Sequence, residues 1–119
     1  MKRAAILLTA SLTLLLAACM PDPPQYTFEG TSTADGIEHP LVVTLDQYGD
    51  NLIGEYRVNA VPGKFRGTID GEAVTANLTP SSACTFEFVG ALTETELTGT
   101  FQPADCPGGK AGTWVTQRQ

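Results

Sequence analysis

The sequence predicts an all-β fold, a small antiparallel up-and-down meander of about eight strands that closes or nearly closes into a barrel. Three observations carry that expectation. From Tyr26 onward no segment keeps a 3.6-residue apolar period, whereas period-two alternation recurs among abundant glycine, threonine and valine. One pattern, apolar-x-Gly-x-apolar, appears in LIGEY (Leu52, Gly54, Tyr56), FRGTI (Phe65, Gly67, Ile69), FVGAL (Phe88, Gly90, Leu92) and LTGTF (Leu97, Gly99, Phe101), with FEGTS at Phe28 as a partial copy. Tight turns laid on the chain then bring apolar residues opposite apolar residues.

In chain order, Met1-Lys2-Arg3 is a short positive start, and residues 4–16 are an uncharged run rich in leucine and alanine. Ala17 and Ala18 lead to Cys19. This is the layout of an export signal, and its apolar run is shorter than the ~20 residues a permanent membrane helix needs. Residues 20–25, MPDPPQ, hold three prolines and no apolar periodicity, so they read as a stiff tether. The expected division is therefore a signal peptide at 1–18, an anchor and tether at 19–25, and one folded domain at 26–119.

The stretch LAAC at 16–19 resembles the lipobox of bacterial lipoproteins. In that family the cysteine thiol receives a diacylglyceryl group, the signal is cut before it, and the new amino terminus is acylated. The resemblance implies that Cys19 is the first mature residue and is held in a lipid membrane. Met20 stands where family members kept on the inner membrane tend to carry aspartate, so the resemblance points to the cell outer membrane.

Removing Lys2 and Arg3 leaves five basic side chains against thirteen acidic ones, a net charge of −8. So acidic a domain is repelled by phosphate backbones, which excludes nucleic acid as a partner. With Cys19 acylated, Cys84 and Cys106 form an even pair in an oxidising compartment and are expected to be joined as a disulfide.

Hairpins can be tested by register. A turn at Gly49-Asp50 sets Leu45 against Gly54, Val43 against Tyr56 and Leu41 against Val58. A turn at Asp70-Gly71 sets Gly67 against Val74 and Phe65 against Ala76. A turn centred on Glu94-Thr95 sets Leu92 against Leu97, Gly90 against Gly99 and Phe88 against Phe101, and brings Cys84 beside Cys106 if a bulge lies near Pro103. In a strand the three key positions of each repeat share one face, so the glycines belong on the inside, where a strongly coiled sheet needs close backbone approach. A two-layer sandwich would use the same strands and stays open at this point.

ELTGTF, NLIGEY and AGTWV resemble the glycine-bearing strands of avidin-like and lipocalin-like barrels, the calycins. That resemblance implies eight strands around one small ligand. The inward aromatic residues Tyr56, Phe65, Phe88, Phe101 and Trp114, with Phe28, are then the candidates to face a ligand.

Candidates for chemistry are sparse. His39 is the sole histidine, in the stretch DGIEHP, and receives no catalytic role. The acids are dispersed and form neither a calcium loop nor a glycosidase pair, so no metal and no cofactor are expected. Arg57, Lys64 and Arg66 lie on adjacent strands on the outward face. They would dock an anionic partner or pair with Glu55 and other cross-strand acids, the second being preferred.

Two functions stand on these residues. The first is a membrane-anchored, non-enzymatic structural or protein-interaction module of the cell envelope, inhibitor-like in one version, working through TADGIEHP (33–40) and PADCPGGKAG (103–112) on an envelope protein partner. The second is a calycin-like carrier of a small apolar ligand. The shortage of inward polar groups to orient a ligand favours the first.

Overall fold

The computed structural model describes residues 24–81 and 84–119. Eight strands follow one another: β1 (Gln25–Ala34), β2 (Ile37–Tyr48), β3 (Asn51–Val58), β4 (Val61–Asp70), β5 (Ala73–Ser81), β6 (Cys84–Leu92), β7 (Glu96–Asp105) and β8 (Gly112–Arg118). Each pairs antiparallel with the next, and β8 returns to β1 from Phe28↔Arg118 to Ala34↔Gly112, so the sheet is a closed barrel. The sandwich is excluded. Cys19 and the expected signal peptide at 1–18 lie outside the described residues.

The β2–β3 register has Leu41↔Val58, Val43↔Tyr56 and Leu45↔Gly54, as the Gly49-Asp50 turn predicts. The β6–β7 register has Phe88↔Phe101, Gly90↔Gly99 and Leu92↔Leu97. A register shift between Phe86↔Pro103 and Thr85↔Asp105 is the expected bulge.

The β4–β5 register differs from expectation. Asp70 pairs with Ala73, so the turn is Gly71-Glu72, and Phe65 faces Leu78 while Gly67 faces Ala76. Gly71 sits at φ +66° and Asp70 stays in the strand, so only a glycine bears the left-handed backbone, the positive-φ pattern of a type II′ turn. Moving a turn by one residue moves the pairing by two. Inward residues therefore stay inward, and the slip is invisible to an apolar-against-apolar test.

Inward positions build the core. Phe28, Val43, Leu45, Leu52, Phe65, Val74, Phe88 and Leu97 are fully buried, and Trp114 is 1% exposed. Thr116 is buried among them and satisfies its hydroxyl by donating to the Leu97 carbonyl at 2.7 Å. Glycines lie where rings or neighbouring strands need the room: the Tyr56 ring covers Gly63, and the Phe101 ring covers Gly112. Outward positions such as Glu29, Glu55, Arg57, Lys64, Arg66 and Glu87 are exposed. This apolar-in, charged-out polarity is the inverse of a transmembrane β-barrel.

Cys84 and Cys106 are bonded, with Cα atoms 4.2 Å apart across 22 residues of chain. Cross-linking a loop of this length stabilises by about 3 kcal/mol, largely by restricting the unfolded chain. The Cys84→Ser/Cys106→Ser double variant is expected to lose about that much in urea unfolding and to keep the barrel's far-UV spectrum.

Candidate functional site

The inward aromatic residues converge on Trp114. Its ring centroid lies 4.9 Å from that of Phe88, 5.2 Å from Tyr56, 6.3 Å from Phe65 and 6.5 Å from Phe101. Phe65 and Phe88 meet edge-on at 5.9 Å. Phe65 and Phe88 have no exposed surface, so no space large enough for a water molecule adjoins either ring. The five rings named from the sequence thus fill the barrel with one another, and only Phe101, at one rim, is half-buried.

Tyr56 is 5% exposed, and burial pushes its phenol up to about 12 from the ordinary 10.0. The neutral phenol is favoured in the fold, so its contribution is complete below pH 10, where the unfolded chain is also neutral. It is lost as pH rises toward 12, because the unfolded chain ionises first. Wild type is expected to lose roughly 2 kcal/mol more than Tyr56→Phe between these limits in alkaline unfolding titrations.

The barrel has two unlike ends. At one, Pro24 enters, its carbonyl accepting from the Gln47 backbone N–H at 3.0 Å, among the turns at Gly49, Gly71 and Glu94. At the other lie the β1–β2 turn, the β3–β4 turn and the β7–β8 loop with the disulfide. TADGIEHP and PADCPGGKAG therefore share the end away from the tether, and Lys110 Nζ joins Asp35 Oδ2 across them at 3.5 Å. The structure corrects their extent: only Asp35-Gly36 of the first is turn, and Ile37–Pro40 belongs to β2, where His39 pairs with Ser32.

Of the apolar rim at this far end, the sequence pointed to Ile37 only within TADGIEHP and did not point to Val61. Ile37 is 58% and Val61 60% exposed, although both have inward parity. Ile37–Pro40 extends past the last β3 partner, at Leu41, and Val61–Gly63 extends past the last β5 partner, at Lys64. Among the described residues, no neighbouring strand covers them there. Between β3 and β4, Asn59 and Ala60 sit at φ +53° and +69°. A left-handed alanine costs about 1–2 kcal/mol, strain of the kind that accumulates at functional loops. The readable signal was Asn-Ala in a two-residue hairpin slot where Asn-Gly would be unstrained.

Arg57, Lys64 and Arg66 are all exposed on the outer face of β3 and β4. Glu55 is the register partner of Lys64, yet among the described residues the single ion pair within 4.0 Å is Lys110 with Asp35. The preferred cross-strand pairing of these three cations is not formed. Among the described residues no three His, Cys, Asp or Glu side chains converge as metal ligands.

No protein-family model, curated protein or solved structure matches this chain. Its eight-stranded antiparallel closed barrel has the form of a small calycin-like barrel.

Proposed function

We propose that this chain is a lipid-anchored, non-enzymatic cell-envelope module, attached to the outer membrane through acylated Cys19, that binds an envelope protein through the rim far from its tether. One observation carries the reading: the tether enters at one end, while Ile37, Val61, the strained Asn59-Ala60 turn and the disulfide-held loop gather at the other. A rim away from the attachment is left free of the anchor and open to a partner protein. Exposed aliphatic side chains on a cross-linked, ion-paired frame supply such a surface at little ordering cost. An inhibitor of an envelope hydrolase is one form that a rigid projecting rim supports.

The carrier reading is disfavoured because the candidate pocket is occupied by its own aromatic rings. Two measurements test the proposal. Mass spectrometry of the membrane fraction should find an acylated chain beginning at Cys19, and a soluble chain with a free residue 19 would defeat the anchor. Photo-crosslinkers placed at Ile37 and Val61 should capture the same protein, and one at Thr100, on the barrel wall, should not. Equal capture from all three positions would defeat the rim as the interface. Val61→Asp should abolish capture from a crosslinker at Ile37 with unchanged thermal stability, since the Val61 side chain is not packed.

A further inference from the structure

We infer that the outer face of β3 and β4 lies on the anionic lipid surface that holds the anchor, with Arg57, Lys64 and Arg66 as its contacts. The inference rests on the Cys19 anchor proposed above and adds an orientation and a lipid class to it. The register sets Arg57 beside Pro62, Lys64 beside Glu55 and Arg66 beside Ile53, so the three cations occupy two neighbouring strands on one side. No carboxylate among the described residues lies within 4.0 Å of them, and their charge is available to a partner. Elsewhere the described domain carries only Lys110 and Arg118 against eleven acids, and Lys110 is already paired. An anionic surface can approach this protein on one side.

That side is also apolar in the way a lipid interface favours. Val42 stands directly across from Arg57 and Ile53 directly across from Arg66, and both aliphatic residues are 38% exposed. Exposed aliphatic groups interleaved with cations bind interfaces by combining burial with attraction to anionic headgroups.

The short chain between Cys19 and β1 lets this face reach the membrane. Gln25, the first residue of β1, donates from Nε2 to Asp46 at 3.0 Å and lines one groove with Val42, Thr44, Glu55 and Arg57. Six residue steps separate Cys19 from Gln25, so the chain between them reaches at most about 20 Å at ~3.3 Å per step. Such a reach keeps the cations permanently near the headgroups, where an effective concentration replaces intrinsic affinity. The far rim remains open to a protein at the side.

Lys64 and Lys110 are the two lysines after residue 19, which makes the test direct. The full lipidated chain is placed on phosphatidylcholine vesicles with or without phosphatidylglycerol, then pulsed with a membrane-impermeant amine reagent. Peptide mass spectrometry reads the Lys64/Lys110 labelling ratio. Since each net cation at an anionic surface biases binding about fivefold, the ratio should fall at least about tenfold on the anionic vesicles. High salt should restore it, and Arg57→Glu/Arg66→Glu should abolish the fall while the protein still floats with the vesicles. Equal ratios on both vesicles, with the protein floating, would overturn the inference and leave the anchor standing. A chain that floats with neither would remove the anchor and the inference together.

Discussion

Trp114→Ala should lower the unfolding free energy by about 3–5 kcal/mol, the range for removing a large aromatic side chain from a packed core. Trp114 is 1% exposed and is the one ring in contact range of Tyr56, Phe65, Phe88 and Phe101 together. Its loss forfeits burial and also leaves a hole between residues held by eight hydrogen-bonded strands, which have little freedom to collapse. Domain stabilities run to about 5–15 kcal/mol, so the variant should sit close to its threshold. Guanidinium unfolding followed by far-UV circular dichroism measures this, since the only tryptophan is gone. An apolar hole of that size should bind a small aromatic compound, and indole should raise the variant's Tm while leaving wild type unmoved. Stabilisation of wild type by indole would instead mean that the barrel holds space for a ligand, in favour of the carrier.

That prediction depends on the interior being full, which the sequence did not disclose. Alternation showed that Tyr56, Phe65, Phe88, Phe101 and Trp114 point inward, but rings pointing inward can line a void or close it. Distances between strands far apart in the chain decide between the two. Local hairpins were legible for the opposite reason: across a turn of two residues, register follows from counting, as at Gly49-Asp50. The same counting failed at Asp70-Gly71-Glu72, where two adjacent turn positions keep the same residues inside and only backbone φ separates them.

Closure was harder to read, because β1 and β8 have no turn between them to count across. The far rim was hidden by it. Ile37 and Val61 carry the parity of core residues, and they are exposed only because their neighbouring strands stop short. The cationic face lay in between: residue types and parity placed Arg57, Lys64 and Arg66 together, while the absence of a Glu55 contact needed side-chain positions.

Gly54→Ala is expected to cost about 3 kcal/mol or more, a large effect for one added methyl group. A Cβ there would collide with the Thr44 carbonyl oxygen and stand 2.9 Å from the Leu45 Cα. Both are backbone atoms of β2, so no side chain can swing aside, and the strand itself would have to retreat. Gly90 and Gly99, register partners in β6 and β7, face the same constraint, each Cβ falling 2.8 Å from the other's Cα. Gly49→Ala provides the contrast. At φ +62° with nothing within 4 Å, its added methyl meets only left-handed strain of roughly 1–2 kcal/mol. Unfolding curves for the pair should therefore separate, with Gly54→Ala the weaker protein. If the two variants were equally stable, the strands would have slack at Gly54, and close approach could not be what draws the sheet tightly enough to be filled by its own rings. A clear separation makes the repeated glycines the cause of the narrow barrel, and the narrow barrel the reason that its aromatic residues serve as core.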